Sequence, residues 1–321
     1  MSGIAGIIQT DNRINACHLL EKMISKMPGR AIDGADYWIK DSAGLGYAHL
    51  KTTNEEISER QPLEAGGTVL VMDGRIDNRD SLQKDSPSSD AELVFHAYQK
   101  WGSSFASHLV GDFAIALWNA SKQELILARD PLGVKPLYFY WDPKKILFCS
   151  EIMPIFEHPG IRKFPNEKMV TQYLAEEFID PQATFFEKIE QVPPGHLLIW
   201  KPGEPPKIQR YWDPPRGEIR FKDPADYFAA FHEKFELAVQ DRLRSSGPVG
   251  LLLSGGLDST QVAAAAEALR EKNPALPRLK STPLFMEGCL TGEKNAVGSL
   301  IRRYNSDIEV ITCPKSTESG Q

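Results

Sequence analysis

The sequence predicts an α+β domain of packed sheets followed by an α/β domain built on a parallel sheet. Three observations predict this. Residues 44 to 150 are mostly short runs rich in β-branched and aromatic residues, broken by turn residues. The segment KPGEPPKIQRYWDPPRGEIRFKDPAD (201–226) is crowded with proline and charge, as a domain boundary is. Beyond it, strand and helix patterns alternate, which implies parallel pairing. A length of 321 residues suits two domains.

Each element can be justified in order. GIAGIIQ (3–9) reads as a short buried strand. In ACHLLEKMISKM, Ala16, Leu19, Leu20, Met23, Ile24 and Met27 fall on one helical face. MPGRAIDGAD is loop chemistry, punctuated by Pro28, Gly29 and Gly34. Strands are predicted at LGYAHLKTT, GTVLVMDG, GDFAIALWNA, ELILARD, PLYFYWD and KILFCS. DAELVFHAYQKWG interrupts them as a helix with Asp90 near its start and Gly102 at its end. After the boundary come helix ADYFAAFHEKFELAVQDRLR, strand PVGLLLS, helix TQVAAAAEALREK, strand RLKSTPLFM, helix AVGSLIRRYN and strand IEVIT.

Composition narrows the function. Hydrophobic content of 41% and charged content of 25% describe an ordinary globular protein. The net charge of −6 is spread along the chain, so no basic patch points to nucleic acid or to an anionic membrane. No apolar stretch could span a bilayer, and no signal peptide is expected. Cys17, Cys149, Cys289 and Cys313 are scattered without a CxxC pair, which suits free thiols in a reducing cytoplasm.

LLLSGGLDST (251–260) is the sharpest motif. It lies between an apolar strand and an alanine-rich helix. Gly255 and Gly256 let the backbone approach an anion and take positive φ. Successive N–H groups, backed by a helix N-terminus, make an anion nest. Ser254, Ser259 and Thr260 can add hydroxyl donors. Asp258 would repel a bare phosphate, so its useful role is to hold Mg²⁺ beside pyrophosphate. The lysine of a Walker A loop is absent. A structural strand–turn–helix with Asp258 as a helix-start carboxylate is the plainer alternative. The full SGGLDST favours ATP, with Leu253 near the adenine side. It resembles the loop of ATP pyrophosphatases, the PP-loop enzymes that split ATP into AMP and pyrophosphate.

With that loop in place, the order of SGIAGI, ERQPL, DGRIDN, SDAE, GDFAIALWNA, ARDPLGVKPLYFY, the Ser–Glu pair at 150–151, VPPGH and RYW is similar to that of the glutamine-hydrolysing asparagine synthetases. The resemblance covers nearly the whole chain. It implies an N-terminal-nucleophile sandwich, the class II glutamine amidotransferase fold, over 2–212. It implies an incomplete PP-loop domain over 226–321, with ATP and Mg²⁺ as cofactors. In that family a glutaminase releases ammonia for a carbon–nitrogen ligase that adenylates aspartate. By alignment, Leu284 on the second strand would also touch the nucleotide.

The glutaminase positions have changed. The family's nucleophile is Cys, and here it is Ser2, a hydroxyl far harder to ionise than a thiol. The family's GHxRLS arginine, which clamps the glutamine carboxylate, corresponds to His49, which cannot form the bidentate fork. The NGEIYN asparagine of the oxyanion hole corresponds to Asp73, and its glutamate to Arg75. Gly74, a backbone donor, and Asp90, the amine-binding position, are retained. The resemblance therefore implies a domain that keeps the fold and has lost glutaminase activity.

The resemblance ends before the family's second phosphate motif, SGxGxDE. The closing SGQ is not that motif, so the second domain reads as partial: a fragment, a frameshifted frame or half of a split enzyme. Three readings stay open. The first is an ATP-dependent amide-forming ligase, making asparagine if the carboxylate is aspartate. The stretch ERQPLEAGGTVLVMDGRIDNRDSL has the flavour of lasso-peptide-type macrolactam cyclases, in which an internal amine attacks. The second is a non-catalytic remnant or partner subunit. The third, a nucleotide-binding regulator, rests on the loop alone. The expected partners are a small-molecule or peptide carboxylate, with a homodimer or a completing C-terminal polypeptide supplying the missing layers.

Overall fold

The computed structural model describes residues 1–10, 14–82, 89–177, 180–286, 291–304 and 311–313. The chain divides into two compact units. One comprises Met1–Lys51 with Glu55–Pro215, the other Thr52–Asn54 with Arg216–Gln321.

The first unit begins with β1 (Gly3–Gln9), α1 (Ala16–Ser25), β2 (Ala35–Lys40), β3 (Ala43–Ala48), α2 (Asn54–Ser58), β4 (Leu63–Ala65) and β5 (Thr68–Ile76). Next come α3 (Arg79–Leu82), α4 (Asp90–Trp101), β6 (Gly111–Asn119), β7 (Glu124–Arg129), β8 (Tyr138–Asp142) and β9 (Lys145–Cys149). It closes with α5 (Glu167–Leu174), β10 (Glu190–Gln191), β11 (His196–Trp200) and β12 (Lys207–Arg210). Two six-stranded sheets result, in the orders β10-β8-β9-β1-β3-β2 and β12-β11-β7-β6-β5-β4. Their pairings are antiparallel throughout.

Alternation along the strands sorts side chains into three apolar layers. Ile4 and Ile8 of β1 and Val69 and Val71 of β5 point into the central layer between the sheets. Ala5 and Ile7 point out towards α1, and Leu70 and Met72 towards α4. The α1 stripe predicted from sequence is buried at all six positions, each leucine, isoleucine or methionine contributing roughly 1.5–3 kcal/mol. Asn15 caps α1 by accepting from the His18 amide. Ser89 and Glu92 form a capping box that starts α4, which ends at Gly102. Gly6 has a specific cause: a Cβ there would stand 2.2 Å from the Phe148 ring, so the two inner-face strands close up only on glycine. Cys17 and Cys149 are free thiols. Burial pushes the Cys149 thiol up to about 12, which keeps it protonated and inert.

The sequence missed several elements. β2 begins inside the predicted loop, and the strand read at LGYAHLKTT stops at Ala48. Helix α5 gave no signal because its apolar side chains Val170, Tyr173 and Leu174 are exposed while Gln172 is its buried residue.

The second unit contains α6 (Pro224–Arg242), β13 (Val249–Leu253), α7 (Leu257–Lys272), β14 (Leu279–Met286), α8 (Thr291–Tyr304) and β15 (Ile311–Cys313). The three strands pair in parallel in the order β13-β14-β15, as the alternation predicted. Val239, Leu243, Ala266, Leu269 and Leu279 join α6 and α7 to the sheet. Among the described residues no helix is long and apolar enough to cross a membrane. Cys289 and the closing SGQ lie outside the described residues.

Candidate functional site

Two clusters hold the residues singled out from sequence. The first sits where both sheets of the first unit end. Ser2 precedes β1 in the alternation that turns Ile4 inward, and Asp73 follows Val69 and Val71 on the inner face of β5. The two sheets thus deliver Ser2 and Asp73 to the same space.

Ser2 is buried, and its hydroxyl is fully subscribed. Oγ donates to the Leu50 carbonyl at 3.1 Å and accepts from the Leu50 amide at 3.2 Å and the Tyr47 hydroxyl at 3.1 Å. Its single proton and both lone pairs are used. Burial raises the Tyr47 phenol above its ordinary value and keeps it a donor, although the Ser2 contact works the other way. The Met1 α-amine titrates below its ordinary 8.0, chiefly through burial and against the attraction of Asp73.

Asp73 is 1% exposed and lies between two cations, accepting from Lys135 Nζ at 2.8 Å and Arg30 at 3.1 Å. Arg30 also donates to Glu151 at 2.7 Å and to the Ser2 carbonyl at 2.7 Å. Lys135 is aimed by the turn after β7. The Asp130 carboxylate there accepts from the amides of Leu132, Val134 and Lys135. The Arg129 guanidinium ties the carbonyls of Gly133, Lys135 and Val192. Lys135 lies within ARDPLGVKPLYFY, a stretch whose pattern gives its lysine no role by itself. The available signal was electrostatic: a buried aspartate on an inner strand face requires a cation.

The remaining pocket positions are similarly engaged. His49 is buried, with Nε2 2.8 Å from the Asp36 carboxylate and its ring edge-on to Tyr47 at 4.6 Å. Arg75 Nε donates to Asp77 at 3.0 Å. Asp90, first residue of α4, accepts from the Ile76 amide at 3.0 Å and pairs with Arg79. Gly74 has a packing reason independent of any donor role, since a Cβ would stand 2.4 Å from the Asp112 carbonyl oxygen of β6.

The second cluster is the turn from β13 to α7. Leu253 ends the strand buried, Gly255 takes φ +83°, and Gly256 caps the helix without a side-chain cap. Gly255 therefore needs the left-handed conformation that glycine adopts freely. Ser254 Oγ lies 3.0 Å from Ser259 Oγ. The Ser254 amide reaches Ser259 Oγ, and the Gly256 amide Ser254 Oγ, each at 3.3 Å. These are long bonds. Two serine oxygens stand over loop amides as anion oxygens would, and the donor set fits a phosphate. Asp258 lies in the first helical turn. Among the described residues no group of three His, Cys, Asp or Glu side chains could hold a metal. A magnesium ion here would have Asp258 and complete its shell from phosphate and water. The register pairs Leu253 with Pro283, which sets the backbone of Leu284 level with Ser254; its side chain lies outside the described residues.

Comparison with known proteins follows this division. Residues 1–212 match the family model of the glutamine amidotransferase domain, and residues 230–284 match that of asparagine synthase. The chain is 32% identical over 258 residues to amidase chry2 of Gibberella zeae, covering 76% of this chain and 38% of that protein. It is 30% identical over 288 residues to asparagine synthetase [glutamine-hydrolyzing] 2 of Bacillus subtilis, covering 82% and 38%. To asparagine synthetase [glutamine-hydrolyzing] 3 of the same organism it is 29% identical over 295 residues, covering 86% and 47%. The chain thus spans less than half the length of these relatives.

Proposed function

Because this chain belongs to the glutamine amidotransferase domain family and continues into an asparagine synthase region, we propose that it is part of an ATP-dependent amide-forming ligase whose glutaminase half is silent. The observation that carries the ligase reading is the strand–SGGLDST–helix turn, with its glycine at φ +83° and its serine oxygens over loop amides. In this reading Ser254, Gly255, Gly256 and Ser259 bind the ATP phosphates. Asp258 holds Mg²⁺, which supplies charge neutralisation, and Leu253 and Leu284 flank the nucleotide. A carboxylate is activated as its adenylate and then attacked by ammonia or an amine. Two of the three relatives named are asparagine synthetases, which favours aspartate over a peptide carboxylate and a lasso-type ring closure.

The silence of the first unit rests on Asp73. An oxyanion hole needs a donor, and loss of one such donor typically raises the barrier by about 3–4 kcal/mol. Asp73 presents a carboxylate occupied by Lys135 and Arg30, His49 is no clamp, and the Ser2 hydroxyl is committed to Leu50 and Tyr47.

The test is a titration of Mg²⁺-ATP against the full chain and its Asp258→Asn variant, beside a glutamate-release assay with glutamine. We expect the variant to lose at least about tenfold in magnesium-dependent affinity with an unchanged far-ultraviolet spectrum. We expect no glutamate release from wild type or Ser2→Cys. Unchanged nucleotide affinity would overturn the loop assignment. Glutamate release dependent on residue 2 would overturn the silent glutaminase.

A further inference from the structure

A cavity of about 220 Å³ opens in the first unit, using none of the residues discussed above. Its lining brings buried Ile161 and Tyr140 and half-exposed Phe164 together with exposed Arg162, Lys188 and Glu187. It is smaller than the 300–1,000 Å³ of sites for drug-sized ligands, so it suits a compact guest.

The walls are fixed. The Glu187 amide donates to the Phe164 carbonyl at 2.9 Å and the Asn166 amide to the Phe185 carbonyl at 2.9 Å, so the strands of chain on either side are tied together. The Thr184 hydroxyl, buried, bonds the carbonyls of Phe186 and Ile189 at 3.1 and 2.7 Å. It thereby holds a turn in which Lys188 adopts φ +61°. A lysine in the left-handed region is strained, and such strain persists only where the surroundings impose it. On the other wall, the Gly160 amide donates to Nδ1 of buried His158 at 3.0 Å, which sets the start of the Arg162 segment.

The rim is unbalanced in charge. Arg162 and Lys188 form no ion pair with any described residue, nor does Glu187. Two cations and one anion thus share the lining with Ile161, Phe164 and Tyr140 in a protein of net charge −6. We propose that this cavity binds a small organic carboxylate with a flat apolar body. The body would lie on Tyr140 and Phe164, and the carboxylate would be taken by Arg162 and Lys188. Arginine supplies a planar fork for the carboxylate and lysine a second point charge. Glu187 disfavours dianions and bare phosphate, which have no apolar part to compensate its repulsion.

The test uses the full chain and benzoate as the probe, with benzamide and inorganic phosphate as controls. Binding is read by titration calorimetry and by amide chemical shifts of Gly160, Phe164 and Lys188. We expect saturable benzoate binding localised to these amides. Benzamide and phosphate should each bind at least about tenfold more weakly, and Arg162→Met and Lys188→Met should each weaken benzoate about tenfold. Lys188→Gly relieves the backbone strain while removing the charge, so it should raise the melting temperature and still lose benzoate. Absent or non-localised benzoate binding, equal binding of benzamide or phosphate, or unchanged affinity in the methionine variants would each overturn the proposal.

Discussion

Replacing Asp73 by asparagine tests the ion cluster directly. The substitution keeps the shape and one acceptor oxygen, removes the charge, and turns the other oxygen, which now accepts from Lys135 or Arg30, into an N–H donor. Arg30 retains Glu151 and the Ser2 carbonyl. Lys135, whose side chain is 12% exposed, loses the carboxylate that pairs with it. Removing one partner of a buried ion pair typically costs 3–5 kcal/mol. Because the introduced asparagine still accepts a hydrogen bond, the lower end applies, about 3 kcal/mol. For a unit of this size that corresponds to a fall in melting temperature of roughly 6–12 °C. Lys135→Met alone leaves Asp73 with Arg30 and should cost about 1.5 kcal/mol. The double variant should lose no more than the worse single, a coupling of at least about 1.5 kcal/mol. Urea unfolding of the full chain, followed by tryptophan fluorescence, measures all three. A neutral Asp73→Asn, or strictly additive effects, would refute the view that Asp73 is a structural anion. None of these variants should release glutamate from glutamine.

Two further outcomes follow from the same geometry. Ser2→Ala leaves the buried Tyr47 hydroxyl and the Leu50 amide without their acceptor. It should therefore destabilise by about 1–3 kcal/mol in urea unfolding and leave glutamine turnover at background; full stability would show that the hydroxyl is not a strut. His158 titrates below its ordinary 6.5, first because it is buried and second because Lys145 is near. The unfolded chain then binds more protons, so stability is complete above pH 6.5 and falls as pH drops towards the folded value. His158→Asn preserves an acceptor for the Gly160 amide and should flatten that acid limb, and a histidine resonance titrating at or above 6.5 would contradict it.

Much of the fold was legible because local periodicity coincides with burial. The α1 stripe is one case, and the strands from GTVLVMDG to KILFCS are others. Elements without such a stripe escaped: β2 at a sheet edge, α5 with its apolar face outward, and the two-residue β10. Within the site, sequence identified Ser2, His49 and Asp73 as departures from a glutaminase. It did not supply Arg30 and Lys135, which lie 43 and 62 residues from Asp73. Such partners are set by where chain ends meet in space, and neither composition nor spacing encodes that. In the second unit the opposite holds. The turn from β13 to α7 is contiguous, so its glycine conformation and hydroxyl pattern could be read directly.

The Asp73 cluster also sets an order for substitutions that would place the residues of a glutamine-hydrolysing pocket here. Placing asparagine at position 73 first would strand the Lys135 ammonium without its carboxylate. Neutralising Lys135 first leaves Asp73 with Arg30, a milder intermediate. The passable route therefore starts in the turn shaped by Asp130, 57 residues from the strand position that carries Asp73.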